Sequence, residues 1–138
     1  MSAAYDQEVI TAIYAAFTND TDLSAAVSGG LWNPDAPQGT DMPYGIYFIV
    51  SDVPDRWNGE SAQAESILVQ FNYYTTGANT VLTDIFNKHC AVFDEWNDDG
   101  TYGDFRMELE RKAGPLREPE TKILSINMDF RVWLVGPS

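Results

Sequence analysis

Trp32-Asn33-Pro34-Asp35-Ala36-Pro37-Gln38-Gly39-Thr40-Asp41-Met42-Pro43-Tyr44 runs directly into Gly45-Ile46-Tyr47-Phe48-Ile49-Val50, and this junction between a proline-rich loop and an apolar strand is the most informative stretch of the chain. Its three prolines remove backbone donors and favour extended backbone, so residues 33–43 form neither a helix nor a central strand. The alternation that follows predicts a strand with Tyr44, Ile46, Phe48 and Val50 on one face.

Upstream of the junction, the apolar spacing predicts a helix over residues 3–17. Val9, Ile13 and Phe17 recur every fourth position and make one apolar stripe. A second, short helix is predicted over residues 22–27, ended by Gly29-Gly30, because glycine tolerates the left-handed backbone that stops a helix. Leu31-Trp32 is expected to form a short strand before the loop.

Downstream of the junction, the pattern predicts a strand over residues 66–74, a helix over 81–96, and strands over 105–110 and 124–134. Residues 97–100, Asn-Asp-Asp-Gly, are expected to end the helix as a solvated turn, and residues 114–119 to form a loop. The last strand has one wholly apolar face, made of Leu124, Ile126, Met128, Phe130, Val132 and Leu134.

This order of elements predicts an α+β fold. Two pairs of neighbouring strands favour an antiparallel sheet of four strands or slightly more. Two main amphipathic helices then cover one face of that sheet. The other face would keep Tyr47, Leu68, Tyr74 and Trp133 among polar neighbours, which favours a subunit contact surface; the alternative is that loops cover these residues.

Composition narrows the class of protein. A chain of 138 residues suits one domain, residues 1–138, and its 44% hydrophobic content excludes a disordered chain. No apolar run approaches the roughly 20 residues of a membrane span. The formal net charge of −13, with five scattered arginines and three lysines, argues against nucleic-acid binding because no basic stripe can form.

Cysteine content and the N-terminal residues bear on where the protein is made. The single cysteine, Cys90, cannot form an internal disulfide, so folding in a reducing cytoplasm is expected. The first residues lack the basic start and apolar segment of a secretory signal. No membrane association is predicted.

Candidate catalytic and metal-binding groups are few. The only histidine, His89, lies on the apolar face of the second long helix and is interpreted as a core or boundary residue. Aligning Gly100 with the sixth position of an EF-hand loop puts Arg106 where a bidentate glutamate is required, so that site is rejected. One cysteine and one histidine also argue against zinc. No enzyme activity, metal or cofactor is predicted.

Arg106, Glu108 and Glu110 share the polar face of one predicted strand and are expected to pair with Arg131 or Asp129 across the sheet. Such pairs are worth about 0.2–1 kcal/mol each. They would fix strand register or meet a neighbouring subunit, the first being favoured.

In order and spacing, nearly the whole chain resembles the tail completion, or tail terminator, proteins of long-tailed bacteriophages. The resemblance is carried by a helix with Val9-Ile10-Thr11-Ala12-Ile13-Tyr14-Ala15-Ala16-Phe17, by Leu23-Ser24-Ala25-Ala26-Val27, by Ala36-Pro37-Gln38-Gly39-Thr40 and Pro43-Tyr44 entering a strand, by a hairpin with Trp57, and by Asp129-Phe130-Arg131-Val132 in the last strand. Two features depart from the family: an acidic insertion at residues 97–104 and the strongly negative charge.

The resemblance implies a structural virion protein of the tail or neck, assembled in the host cytoplasm. Such subunits form a ring, commonly a hexamer, on the head-proximal end of the tail tube, which stops tube growth and meets the head connector. DNA would pass through the lumen without specific binding, and an acidic wall would repel it. Interface residues are expected among Trp32, Pro37, Trp57, Tyr47, Trp133, Arg131 and Arg106.

Two alternatives remain open from the sequence. One is a head-closure or adaptor ring of the same virion. The other, from a different class, is a small-molecule-binding α+β domain with a pocket between helices and sheet, for which His89 is the only candidate polar group.

Overall fold

A six-stranded sheet is the frame of the molecule, and a computed structural model describes it over residues 2–55, 64–100 and 103–135. The elements in chain order are α1 (Ser2–Asn19), α2 (Thr21–Ala26), β1 (Leu31–Trp32), β2 (Tyr44–Asp55), β3 (Ala64–Thr75), α3 (Asn79–Phe93), β4 (Trp96–Gly100), β5 (Gly103–Arg117) and β6 (Leu124–Val135). The strand order is β1-β2-β3-β6-β5-β4, and among the strands of the described residues only the two-residue β1 runs parallel to its neighbour. The predicted α+β class with a mainly antiparallel sheet is confirmed.

The helix faces that the sequence predicts to be apolar are the faces buried against the sheet. In α1, Val9, Ile13 and Phe17 are each at most 4% exposed. The buried side of α3 consists of Leu82, Ile85, His89 and Phe93. Asp20 caps α2 by accepting a hydrogen bond from the backbone N–H of Leu23 at 2.9 Å, which supplies a partner to one of the unpaired donors of the first turn. Among the described residues, no helix is long and apolar enough to cross a membrane.

The two central strands, β3 and β6, carry the core. They pair in register from Ala64 opposite Val135 to Thr75 opposite Leu124, so alternate residues of both strands point to the same face. Facing the helices are Ile67, Val69, Phe71 and Tyr73 of β3 with Leu124, Ile126, Met128, Phe130 and Val132 of β6, all at most 2% exposed. The alternation in the sequence therefore identified the buried face of each central strand.

Two predictions about the C-terminal half of the sheet are wrong. Residues 97–100 are not a turn at the end of a helix, because α3 ends at Phe93 and Trp96–Gly100 form strand β4. The chain reverses where Glu95 takes a left-handed φ of 62°, and the Asp94 carboxylate accepts a hydrogen bond from Leu109 N–H of β5 at 2.9 Å. Residues 114–117 are also not loop, since β5 continues to Arg117 through two register shifts.

Tyr47 was predicted to lie on the uncovered face of the sheet, and this is wrong. Its side chain is 2% exposed and lies on the helix face, where its hydroxyl donates to the backbone carbonyl of Ile10 at 2.9 Å. Pairing with Phe71, whose ring stacks on it at 5.8 Å between centroids, fixes this orientation. Because neighbours along a strand alternate faces, the same pairing puts Tyr44, Ile46 and Phe48 on the opposite side.

Gly29, in the turn between α2 and β1, packs against the loop that precedes β2, and its replacement tests this contact. Its N–H donates to the Pro43 carbonyl at 2.8 Å, and a β-carbon placed there would overlap the backbone carbonyl of Asp41. Gly29→Ala is expected to lower the free energy of unfolding by about 1–3 kcal/mol, measured by urea unfolding, because backbone rather than a flexible side chain must move. Gly77→Ala, whose β-carbon meets only ordinary contacts at 3.4 Å, is the control and should change stability by less than about 0.5 kcal/mol.

Candidate interaction surface

The sheet face that no helix covers is the main candidate surface, and we call it the open face. On its β2–β3 side it carries aromatic and aliphatic side chains beside the polar Gln70 and Asn72. Tyr44 and Tyr74, paired across the strands, place their rings 5.2 Å apart, and Val50 is 49% exposed at a register shift of β2. The remaining apolar members of this side are Ile46, Phe48 and Leu68. Exposed aromatic and aliphatic side chains in one patch are typical of protein–protein contact surfaces.

The β6–β5 side of the open face is ion-paired. The Arg131 guanidinium donates two hydrogen bonds to the Glu110 carboxylate, of 2.9 and 3.1 Å. Asp129 accepts from Gln70 at 3.0 Å and from Arg111 at 3.2 Å. The hydrogen bond from Arg131 lowers the pKa of the Glu110 carboxyl, and the same pair raises the pKa of the guanidinium. The predicted pairing of Glu110 with Arg131 across β5 and β6 is confirmed.

A second candidate surface is an apolar groove of about 380 Å³ between α1 and the β1 edge of the sheet, which we call the edge groove. The buried Leu31 and Tyr47 form its floor, and Tyr14 and Trp32, 51% and 39% exposed, stand in its walls. Its other lining residues are Ile10, Thr11 and Asn33. The Asn33 side chain donates to the Tyr47 carbonyl at 2.7 Å and holds the start of the proline-rich loop on β2.

The predicted interface residues fall into separate groups. Trp133, 40% exposed, pairs across the strands with Arg106, and Arg131 lies beside them on the open face. At the far edge, Trp32 lines the edge groove and Pro37 is exposed in the loop. Trp57 lies outside the described residues. Tyr47 is buried in the core and forms only the floor of the edge groove, so the structure brings three of the seven together on the open face.

The chemistry of the buried polar groups is that of a core. His89 is fully buried, and its Nδ1 lies 2.7 Å from the Tyr73 hydroxyl. Phe71 and Phe93 pack on its ring at 4.3 and 4.6 Å between centroids. Desolvation lowers the pKa of the imidazole to about 3, so the ring is neutral at physiological pH. The prediction of a core histidine is confirmed.

Cys90 follows His89 on α3 but has a different environment. Burial, reinforced by the charge of Asp94, raises the pKa of its thiol to about 11. A thiol of that pKa is protonated at neutral pH and is a poor nucleophile. Within the described residues, no three His, Cys, Asp or Glu side chains are grouped to hold a metal ion.

The sequence did not single out three exposed apolar residues, Tyr14, Val50 and Leu116. Tyr14 lies beside the apolar stripe of α1 in the sequence, so its exposure was not expected. Val50 continues the alternation that begins at Tyr44, and the β-bulge that exposes it cannot be recognised from the alternation of apolar and polar residues. Leu116 had the clearest signal, being the only large apolar residue among the polar and proline residues 114–119.

Comparison with known proteins supports the fold. No family model matches the chain, and no curated protein sequence matches it. Among solved structures, a chain from the virion of a native gene transfer agent particle is similar, with a TM-score of 0.72 at 15% sequence identity. The similarity covers 90% of this chain and 92% of the other. At this identity the two chains share an architecture over nearly their whole lengths.

Proposed function

We propose that this protein is a structural subunit of a phage-like particle that forms a ring at the head-proximal end of the tail tube. In that position the ring ends tube growth and joins the tail to the head connector. The observation that carries the proposal is the similarity, over 90% of this chain, to a chain from the virion of a gene transfer agent. The position at the end of the tail tube is taken from the resemblance of the sequence to tail terminators.

The two candidate surfaces fit such a role. A ring subunit needs contacts to its two neighbours and contacts to the layers above and below it. The open face offers aromatic side chains and arginines, the residue types enriched at protein interfaces, in Tyr44, Tyr74, Trp133 and Arg131. The edge groove offers a separate apolar site at one side of the sheet.

The net charge of −13 suits a channel for DNA. Phosphates are repelled by an acidic wall, so DNA passes without being held. In an assembled ring, Asp and Glu are expected to outnumber Lys and Arg on the channel wall, and a ring structure with a basic lumen would contradict this part of the proposal.

The small-molecule alternative loses its candidate polar group in this structure. His89 is packed among the rings of Phe71, Tyr73, Phe93 and Phe130, so its imidazole does not face a ligand. A head-closure or adaptor ring remains the neighbouring alternative, since it demands the same kinds of contact surface.

Removing the chain from a producing host tests the proposal. Without a terminator, tubes are expected to grow beyond their normal length and to remain unjoined to filled heads, as seen by electron microscopy. Supplying the wild-type chain should restore joined particles, with the chain labelled at the junction of head and tail. Tubes of normal length with unjoined heads would indicate the adaptor role instead, and normal particles would refute both.

A further inference from the structure

We infer that the ring is closed by a knob-in-groove contact between copies of this chain, in which Leu116 of one subunit enters the edge groove of the next. The inference rests on the proposed ring and adds the residues that form the contact between neighbouring subunits. Two different patches meet in such a contact, so it is head-to-tail, the type that generates rings.

The groove is suited to receive an apolar side chain. Its floor, formed by Leu31 and Tyr47, is 2% exposed, while its walls, Tyr14 and Trp32, are among the most exposed large apolar residues of the described chain. The Tyr47 hydroxyl donates to the Ile10 carbonyl and the Trp32 indole N–H to the Gly29 carbonyl at 2.9 Å. The donors of Tyr47 and Trp32 are therefore paired within the subunit, and these two rings offer their apolar parts to the groove.

Leu116 is suited to be the knob. It is 57% exposed, the highest fraction of any large apolar side chain among the described residues. Two register shifts in β5 precede it, and Gly114 immediately before the Pro115–Leu116 step has a φ of 104°. β4 covers β5 only as far as Met107, so the segment that carries Leu116 is itself at the edge of the sheet.

The groove side of the sheet and the segment that carries Leu116 differ in charge. Residues 1–55, which include the groove side, contain eight acidic residues and no basic one. Residues 111–122, the part of β5 beyond β4 and the turn after it, contain four basic residues against two acidic ones. Within that segment Arg117 and Lys122 are exposed near Leu116, and Arg117 donates a hydrogen bond to the Lys122 carbonyl at 3.3 Å. Opposite potentials on the two patches favour their contact over contact of like edges.

The pairing register also puts both patches at the same level of the sheet. One row of paired residues runs Leu31, Gly45, Tyr73 and Ile126, and it reaches β5 between Ala113 and Leu116. When one subunit contacts the next through opposite edges at the same level, the second subunit is shifted little along the strand direction relative to the first. A head-to-tail contact with little rise between subunits is the kind that closes into a ring.

Mixing two variants tests the head-to-tail contact in solution. Tyr14→Glu removes the groove and Leu116→Glu the knob, and each alone is expected to weaken self-association at least about 30-fold by native mass spectrometry and sedimentation. Mixed together they should form a 1:1 dimer and nothing larger, because one retains a groove and the other a knob. Ala15→Glu, an exposed charge-matched change on α1 outside the groove, and Leu116→Met should behave as wild type.

A cysteine pair tests the same contact in particles. With Cys90→Ser as background, Thr11→Cys combined with Leu116→Cys should give an oxidation ladder ending at the closed ring, whereas Ala91→Cys with Leu116→Cys should not. Particles that hold the chain at the head–tail junction but give no ladder would overturn this contact and leave the proposed function standing. A chain absent from particles would end the proposed function, and the absence of the mixed dimer would then overturn the contact as well.

Discussion

Phe71→Ala is expected to lower the free energy of unfolding by about 3–5 kcal/mol, the range for removing a large aromatic side chain from a core. Phe71 is fully buried at the centre of the aromatic cluster. Its ring lies 5.4 Å from Phe93, 5.5 Å from Phe130 and 4.3 Å from His89, centroid to centroid. Helices and sheet meet at this ring, so the cavity left by alanine is bounded by both layers and cannot collapse easily.

Urea unfolding followed by tryptophan fluorescence measures this change. Phe48→Ala is the matched control, because Phe48 lies one strand away on the open face and is only partly buried. Its loss should cost less than half as much. Equal losses for the two variants would contradict the placement of the core on the helix face.

Acid is expected to destabilise the protein through His89 well before the histidine itself is protonated in the folded state. The pKa of His89 is about 3 in the fold and about 6.5 in an unfolded chain. Between these values the unfolded state binds the additional proton, so stability falls as the pH drops below 6.5. The loss is about 1.4 kcal/mol per pH unit, or roughly 2 kcal/mol at pH 5.

His89→Gln isolates this contribution. Glutamine does not titrate and can still hydrogen-bond the Tyr73 hydroxyl, so the variant loses some packing but should lack the extra slope between pH 7 and pH 5. Carboxylates titrate alike in both proteins and cancel when the two slopes of unfolding free energy against pH are subtracted. Identical slopes would show that His89 is not held neutral by burial.

The predictions made from periodicity succeeded where a segment has one buried face and failed where the chain changes register. The stripe of α1 and the alternation of β6 each identified buried residues, because burial of a repeating face is what selects the repeat. The strand predicted over residues 105–110 is confirmed as part of β5, but residues 97–100 were misread as a turn and residues 114–117 as a loop. The start of β4 follows the turn at which Asp94 binds the backbone of Leu109, 15 positions away, and β5 continues past two register shifts, which local alternation does not show. Tyr47 was misplaced for a similar reason, since apolar residues on both sides of β2 leave its orientation to the partner strand.

From the amino-acid sequence alone came the α+β class, the two main helices, the face that each central strand buries, and the assignment of His89 to the core or its boundary, because local periodicity and side-chain chemistry are enough for these. Only the tertiary structure decided which residues are exposed together. The edge groove brings α1 together with β1 and with Tyr47 of β2, and the open face extends from β2 to β5 across the two strands between them. Such surfaces are products of strand order and register, which long-range pairing fixes and no local pattern records.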